Sequence, residues 1–360
     1  MKKITAVIVT IILIITIAVS IAIYLSNNGY FAKKGQYTLA QDSTGDNKVN
    51  KYQDGFAVFT GKQLYYYDSS MNRKWFLDIN APKANMYIRE KYILIMSLSD
   101  NSVFLVKNGK IETSFKTKSN IKSGSVNENG YICISTDEKG YKGVCKVYKP
   151  SGKELVTYTF GDKYVVDADI SPNNRDVAIN TIDITNGLIK DTIIFSNGST
   201  GKYYKEVTTE NIIASVRFYG SGKLIAQGKN GIVCYNGKGK QKWNVDYKGN
   251  DVKFIKINDG YIAVSLSDAS SFGSTEVKLY NLSGRQKGNF TYDYNIDYMA
   301  LSGGKIAISS ENEIVLLNRK GQLLGKAKSD AMINGLELFE KKNRAMVMSG
   351  SEINMIPFER

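Results

Sequence analysis

Four carboxylates are the side chains with the clearest capacity for chemistry, and they lie in or near short alternating apolar runs: Asp167, Asp169, Asp297 and Glu337. Carboxylates can transfer protons or bind a cation. The chain contains no histidine, which excludes Ser-His-Asp and Cys-His catalysis, a histidine proton shuttle and His-ligated zinc or iron. Carboxylate, lysine or tyrosine chemistry remains open, but we expect these four acids to be solvated carboxylates of a central channel, with a cation site there as the alternative.

The three cysteines form neither a zinc-binding pattern nor a disulfide framework. Cys133 and Cys145 lie at mirror positions about a turn centred near Lys139, so in a hairpin they would face each other. A cross-strand disulfide can form there outside the cytoplasm, and two small buried thiols are the alternative. Cys234 alternates with Tyr235 in a predicted strand and is expected to be a core residue.

The formal charge of +14 points to anionic surroundings such as lipid headgroups, acidic wall polymers or nucleic acid, or to a positive charge spread over a solvated surface. Gly109-Lys110, Gly152-Lys153 and Gly237-Lys238 precede no helix, so they are predicted to be hairpin turns and not phosphate-binding loops. The basic and aromatic pattern of nucleic-acid modules is absent, and we expect no nucleic-acid partner.

The amino-terminal segment is predicted to anchor the chain in a membrane. After Lys2 and Lys3, an apolar run extends from Ile4 to Leu25, and its length of about 22 residues can cross a bilayer core of about 30 Å. We favour an uncleaved anchor with a cytoplasmic amino terminus, on a thin charge bias, because only a weak cleavage site is present at Ala18 to Ser20. Residues 1–25 are thus the leader and transmembrane helix, 26–36 a polar tether, and 37–360 a single extracytoplasmic domain.

From Tyr37 onward, the apolar residues alternate with a period of two, which predicts strands throughout. Strand-rich units recur with a period of about forty residues, as expected for stacked sheet blades. Each unit consists of a strand, a variable loop, a strand, a Gly-rich turn and a strand, and another apolar strand leads into the next unit. Eight units begin at these residues: Gly55, Lys91, Gly130, Arg175, Gly222, Gly260, Gly304 and Arg344.

Four antiparallel strands per unit predict an all-β, eight-bladed β-propeller that follows one transmembrane helix. Seven blades are the alternative because the unit at Arg175 is irregular. The last unit ends at Arg360 without an outer strand, and the segment from Tyr37 to Gln41 is predicted to supply it. Such closure would leave no open sheet edge.

A strand that ends in Tyr-Asn or Tyr-Asp, a turn, and then Lys-Trp occur from Tyr235 to Trp243 and from Tyr67 to Trp75, with Gly-Lys opening the first of these turns. This pattern resembles the quinoprotein-type (PQQ-like) propeller repeat. The whole chain resembles uncharacterised single-pass bacterial membrane proteins that carry such a propeller. The resemblance covers about residues 37 to 360 and implies the fold. It does not imply one function, because propellers of this type include quinone-dependent dehydrogenases and non-catalytic scaffolds in envelope protein assembly.

The dehydrogenases that share this resemblance carry calcium-ligating side chains, an aspartate base, a stacking aromatic residue and, in many cases, adjacent cysteines. No adjacent cysteines occur in this chain. Trp75 and Trp243 follow turns in the outermost strands, so we predict that they pack between blades and do not stack on a cofactor. No cofactor and no bound metal are therefore expected.

The strand order also predicts two chemically different faces. Turns between third and fourth strands share one face, where they form a basic rim: Lys74, Lys110, Lys153, Lys238, Lys240, Arg285 and Lys320. We expect this rim to face anionic lipid, with solvated lysines as the alternative. The opposite loops should be mixed or acidic and should bind a partner through exposed apolar residues: Tyr141, Leu188, Ile189 and Phe272.

These patterns predict a non-catalytic, membrane-anchored propeller outside the cytoplasm that binds another envelope protein or a cell-wall polymer. The alternative is a PQQ-dependent or carbohydrate-acting enzyme that uses the channel carboxylates.

Overall fold

The structure is a computed structural model that describes residues 12–21, 35–38, 47–185, 187–220, 222–258, 260–267, 273–339 and 343–359. Within these residues, 32 strands form eight four-stranded antiparallel sheets, as the sequence predicted. Residues 12–21 are helical. Across the described ranges, no helix combines the length and the apolar character needed to span a bilayer. The other residues of the predicted span, 4–11 and 22–25, lie outside the described part of the chain.

Each of the first seven blades uses four consecutive strands. Blades 1 and 2 comprise β2 (Lys48–Tyr52), β3 (Gly55–Phe59), β4 (Gln63–Asp68), β5 (Arg73–Asp78), β6 (Ala84–Arg89), β7 (Tyr92–Ser97), β8 (Ser102–Lys107) and β9 (Lys110–Lys116). Blades 3 and 4 comprise β10 (Asn120–Val126), β11 (Ile132–Asp137), β12 (Gly143–Tyr148), β13 (Glu154–Phe160), β14 (Tyr164–Ile170), β15 (Asp176–Thr185), β16 (Leu188–Asn197) and β17 (Tyr203–Thr209). Blades 5 and 6 comprise β18 (Ile213–Tyr219), β19 (Lys223–Gly228), β20 (Gly231–Asn236), β21 (Gln241–Asp246), β22 (Asp251–Ile257), β23 (Tyr261–Ser267), β24 (Thr275–Asn281) and β25 (Gln286–Tyr292).

Blade 7 comprises β26 (Tyr298–Ser302), β27 (Lys305–Ser310), β28 (Glu313–Leu317) and β29 (Leu323–Lys328). Blade 8 takes three strands from the end of the chain and one from its beginning: β30 (Gly335–Phe339), β31 (Arg344–Ser349), β32 (Glu352–Pro357) and β1 (Gly35–Thr38).

The amino-terminal strand closes the ring, as predicted, but its position differs from the prediction. β1 pairs with β32 in the register Gly35↔Met355 to Thr38↔Glu352. The prediction placed this strand from Tyr37 to Gln41, whereas the observed strand begins two residues earlier, and Leu39 to Gln41 lie outside the described residues. Because the apolar alternation of so short a segment fits several registers, the sequence could predict the closure but not its register.

The hydrophobic core is divided among the interfaces between blades. Among the described residues, eight buried clusters each combine side chains from two successive blades. One of them joins Phe56 and Val58 of blade 1 to Ile353 and Met355 of blade 8. The blades therefore form a closed ring of eight, and the seven-bladed alternative was wrong.

The strand order gives the propeller two faces. We define the turn face as the one that carries the connections between first and second strands and between third and fourth strands of each blade. The loop face carries the connections between second and third strands and the links to the next blade. At the end of β20, Asn236 fixes a third-to-fourth turn because its Oδ1 accepts the backbone N–H groups of Lys238 (3.1 Å) and Lys240 (2.9 Å).

Glycines in these turns let successive blades approach closely. Gly284 has a φ of +78°, and an added Cβ would lie 2.6 Å from the Trp243 ring of the preceding blade. Gly109 meets Trp75 in the same way. This geometry confirms that both tryptophans pack between blades.

The unit at Arg175 is irregular because its central hairpin is long. β15 and β16 each contain ten residues, whereas their neighbours β14 and β17 contain seven. β14 reaches the hairpin only as far as Ile182, and β17 only as far as Asp191. Beyond these two residues, three further pairs, from Asp183↔Lys190 to Thr185↔Leu188, project from the loop face.

Candidate functional site

The central channel is crossed by an arginine at the end next to the turn face. Arg89 ends β6 in blade 2, and its Nη2 donates a hydrogen bond to the carbonyl oxygen of Phe218 in blade 5. Its guanidinium carbon also lies 4.8 Å from the centre of the Tyr219 ring. A contact between blades three positions apart can only run through the middle of the ring, so the first strands line a channel that this side chain spans.

Two of the predicted channel carboxylates connect blade 4 to blade 5. Asp167 Oδ2 accepts the backbone N–H of Val216 at 3.0 Å and forms an ion pair with Arg217. Asp169 Oδ2 accepts the N–H of Phe218 at 2.8 Å. The carboxylates thus satisfy alternate backbone donors on the edge of β18 that pairs with no strand of its own blade.

Burial and neighbouring charges shift the pKa values of Asp169 and Arg217. Burial raises the pKa of the Asp169 carboxyl, an effect that Arg217 and the Phe218 N–H only partly oppose. For Arg217, burial lowers the pKa, but Asp167 and Asp169 outweigh it and hold the guanidinium pKa above its usual value. The Arg217 guanidinium therefore stays protonated in its ion pair and is poorly suited to transfer a proton.

A third acid of blade 4 binds the start of the same strand. Asp191 Oδ2 accepts the N–H of Ile213 at 2.9 Å, and Asn180 Nδ2 donates to the carbonyl oxygen of Ile213 at 2.8 Å. Within the described residues, the second oxygen of Asp191 and the Oδ1 of Asn180 have no hydrogen-bond donor. Burial raises the Asp191 pKa to about 6, although the Ile213 N–H and Asn180 oppose the shift.

The other two predicted carboxylates occupy different environments. Glu337 lies in β30, and burial raises its pKa against the opposing charges of Lys256 and Lys51. Lys51 Nζ also donates to the carbonyl oxygen of Leu338 at 2.7 Å. Asp297 precedes β26 on the loop face, where it accepts the N–H of Glu311 at 2.6 Å.

The expectation of solvated channel carboxylates was therefore wrong for Asp167 and Asp169, which are almost completely buried. The four predicted acids also do not share one set of partners, because Asp167 and Asp169 bind blade 5, Asp297 binds the N–H of Glu311, and Glu337 lies near Lys51 and Lys256. In the described ranges, no three His, Cys, Asp or Glu residues are arranged to hold a metal ion. Sequence alone could place two of these acids in an inner strand but could not reveal Arg217 as their partner on the next blade.

The cysteines are buried as free thiols. The prediction placed Cys133 and Cys145 directly opposite each other. Instead, Cys133 pairs with Val147 and Cys145 pairs with Ser135, so the two cysteines are diagonal neighbours. The offset arises because the turn between β11 and β12 is not symmetric about Lys139. The neighbouring Cys145 and burial together raise the pKa of the Cys133 thiol. The disulfide itself stays a prediction. Cys234 is a core residue, as expected.

The basic rim lies where the strand order placed it. All seven of its residues are exposed in or beside third-to-fourth turns: Lys74, Lys110, Lys153, Lys238, Lys240, Arg285 and Lys320. Lys74 forms an ion pair with Asp68 at 3.1 Å. Lys238 Nζ lies 5.9 Å from the centre of the Tyr204 ring. Whether the rim contacts lipid stays a prediction at this point.

Three of the four predicted partner-binding residues are exposed on the loop face. Leu188 and Ile189 lie in the projecting hairpin and are 74% and 54% exposed. Tyr141 lies in the loop before β12 and is 47% exposed, whereas Phe272 lies outside the described residues.

The structure adds four residues that sequence reasoning missed on the same face of blades 2 to 5. They are large exposed apolar side chains: Leu98, Tyr164, Ile184 and Ile212. Ile184 pairs directly with Ile189 across the projecting hairpin. The unbroken alternation of β15 up to Asn186-Gly187 was the one signal that could have identified Ile184.

Comparison with known families shows which family the chain belongs to but assigns no activity to it. The sequence profile of a family of unknown function, DUF5711, matches residues 26–358. The chain belongs to the DUF5711 family. No curated protein sequence matches this DUF5711 member.

Solved structures show that this DUF5711 fold is shared with other propellers. BamB from Moraxella catarrhalis has a TM-score of 0.56 and 14% identity, over 91% of this chain and 99% of its own. Kluyveromyces lactis Hsv2 has a TM-score of 0.51 and 13% identity, over 78% of this chain and 99% of its own. A eukaryotic initiation factor has a TM-score of 0.52 and 11% identity, over 81% of this chain and 90% of its own. At such low identity, the likeness concerns the fold.

Proposed function

We propose that this protein is a non-catalytic scaffold that binds another envelope protein through its loop face. The single observation that carries the proposal is the projecting hairpin of blade 4. Its exposed Ile184, Leu188 and Ile189 lie on residues that pair only within the hairpin. Exposed apolar side chains on a rigid projection are typical of protein contacts, because their burial in a partner is favourable and requires little ordering.

The neighbouring blades extend this contact surface. Leu98, Tyr141, Tyr164 and Ile212 are exposed on the loop face of blades 2 to 5, on either side of the hairpin. Polar connections separate them, so the surface combines apolar anchors with a polar surround, as protein interfaces do. A wall polymer would contact mainly polar groups, and we therefore favour a protein partner.

A quinone-dependent or carbohydrate-acting enzyme has less support. Such an enzyme needs carboxylates that are open to a substrate, whereas Asp167 and Asp169 are buried and bound to the backbone and side chain of blade 5. The Asp191 carboxylate likewise accepts a backbone N–H of blade 5, that of Ile213. The proposed role accordingly involves no catalysis.

The proposal includes an anchor in the cell membrane, with the amino terminus in the cytoplasm and the propeller outside. Its support is the apolar run from Ile4 to Leu25, which precedes β1 in the sequence by only a short polar stretch. An anchored propeller would hold its loop face in reach of other envelope proteins.

Site-specific photocrosslinking in intact cells tests the partner site. A photoreactive residue at Leu188 or Tyr141 should capture the same protein, and one at Lys320 on the turn face should not. The double variant Ile184→Ser and Ile189→Ser should weaken binding of that purified protein by about tenfold or more, since it removes apolar area from the contact. Its melting temperature should stay unchanged because both side chains are exposed.

The matched control replaces two exposed apolar residues away from the hairpin, Leu323 and Leu324, with serine. This control should bind like the wild type. Equal capture from Leu188 and Lys320, or unchanged affinity of the hairpin variant, would contradict the proposal.

A further inference from the structure

The chain enters the propeller at the turn face. β32 runs from Glu352 toward Pro357, where a third strand reaches the turn face, and Gly35 of β1 pairs beside this end at Met355. β1 therefore begins at the face that carries the basic rim. Residues 22–34 connect this point to the apolar helix at 12–21, and a chain of that length spans at most about 45 Å.

The rim cations are poorly neutralised. Lys74 has a carboxylate partner in Asp68. For the other six, the described part of the chain offers no carboxylate within ion-pair distance: Lys110, Lys153, Lys238, Lys240, Arg285 and Lys320.

The loop face differs, because several of its exposed lysines lie next to acids. Lys116 is 3.1 Å from Asp100, and Lys122 is 3.1 Å from Asp137. The rim cations without a carboxylate partner thus lie on the face where β1 begins.

Exposed apolar side chains accompany these cations at the edge of the turn face. Ile111 follows Lys110 at the start of β9, Tyr203 begins β17 directly after Lys202, and Leu323 and Leu324 begin β29 shortly after Lys320. Cations that alternate with tyrosine and aliphatic residues match the chemistry of a bilayer surface, where charged headgroups lie above acyl chains.

We propose that the turn face rests on an anionic bilayer, which its basic rim contacts. This inference depends on the proposed membrane anchor, which holds the rim close to the surface. Electrostatic attraction to anionic headgroups then sets the orientation, so that the loop face and its hairpin point away from the membrane. A partner would meet the hairpin without approaching the lipid.

The test uses the full chain reconstituted into vesicles of phosphatidylcholine alone or with about one third phosphatidylglycerol. A fluorophore is attached at Ser151→Cys on the turn face or at Met332→Cys on the loop face, and energy transfer to an acceptor lipid reports proximity. The three native cysteines are buried and should not react. Both introduced positions are exposed.

Anionic lipid should increase energy transfer from the Ser151→Cys label about twofold, and about 1 M KCl should abolish the increase because the Debye length falls to about 3 Å. The variant Lys110→Gln, Lys153→Gln, Lys238→Gln and Lys320→Gln should lose the increase. A matched variant with the same change in charge on the loop face should keep it: Lys62→Gln, Lys139→Gln, Lys229→Gln and Lys248→Gln.

Failure of the chain to remain in the bilayer after alkaline extraction would refute the anchor and not the rim. Retention with equal energy transfer in both lipids, or stronger transfer from Met332→Cys, would overturn the inference. So would tight binding of soluble polyglycerolphosphate together with no response to anionic lipid, a result that would assign the rim to a wall polymer.

Discussion

Buried acids on blade 4 bind backbone N–H groups of the neighbouring blade 5. Asp167, Asp169 and Asp191 each accept a backbone N–H from β18. β18 is an edge strand of its sheet, so these carboxylates take the place of the carbonyl oxygens that a further strand would supply. Asp167 also has Arg217 as an ion-pair partner. Asp191 lacks such a cation, and its raised pKa reflects the cost of keeping its charge buried.

Asp191→Asn is expected to stabilise the protein at pH 7. The native pKa of about 6 exceeds the usual value near 4, so the folded state binds the proton more tightly than the unfolded state does. The stability contributed by this group is therefore complete below about pH 4 and is lost as the pH rises through about 6. Asparagine keeps the acceptor for Ile213 and adds a donor that can reach Asn180.

Urea unfolding between pH 4 and pH 8 checks this prediction. The variant should gain about 1–3 kcal/mol over the wild type at pH 7 and little at pH 4. Asp162→Asn removes the charge of an exposed acid and should leave the pH dependence unchanged. A variant with the wild-type slope would show that Asp191 does not titrate in this range.

At the scale of the blade, a glycine turn and an aromatic ring form the recurring contact between neighbours. Gly284 packs on Trp243, and Gly109 packs on Trp75. The same arrangement recurs where Gly321 meets Phe290. The position of Trp75 and Trp243 between blades was predicted because both follow turns in outermost strands, whereas their glycine partners were not predicted.

Gly284→Ala should destabilise the protein more than Gly249→Ala does. Both glycines have a positive φ, so alanine strains the backbone by about 1 kcal/mol at each position. An added Cβ meets Trp243 at position 284 but has no atom within 4 Å at position 249. The difference should be about 1–3 kcal/mol, which is the cost of overpacking one interface.

Thermal and urea unfolding of the two variants measure this difference directly. Equal destabilisation would mean that Trp243 moves aside freely, and the glycine would then serve the turn alone.

The polar contacts between blades could not be predicted in the same way. Asp167 and Asp169 alternate in an apolar run, which identified them as inner-strand residues. Their partners at Val216, Arg217 and Phe218 depend on how two blades align, and no local pattern encodes that alignment. The hairpin of blade 4 is an intermediate case, because its strands were recognised but the point at which their neighbours stop was not.

At the scale of the whole molecule, the ring depends on one short strand. β1 covers the outer edge of β32, which would otherwise expose unpaired backbone groups. The prediction that an amino-terminal strand completes the last blade was correct, because the last unit has only three strands of its own. Its register could not be derived, since four residues carry too little pattern.

A chain that lacks residues 1–38 should therefore be less stable than one that lacks residues 1–34. The two proteins differ only by β1, so the shorter one should melt about 5–10 °C lower and scatter more light as its exposed edge associates. Differential scanning calorimetry and light scattering report both effects. Identical melting and scattering would show that β1 contributes nothing to closure.

The pairing of β1 with β32 also fixes the order in which the molecule can be completed. Of the described strands, β1 is made first, and its partner β32, more than 300 residues later, is made last. Blades 1 to 7 can form while synthesis continues, since each uses consecutive strands. Blade 8 can form only after β32 has been made, so the entropy cost of closing the loop between β1 and β32 is paid at this last step of ring assembly. A nascent chain thus carries an open ring until β32 has been made, and this interval is when a chaperone would have most to protect.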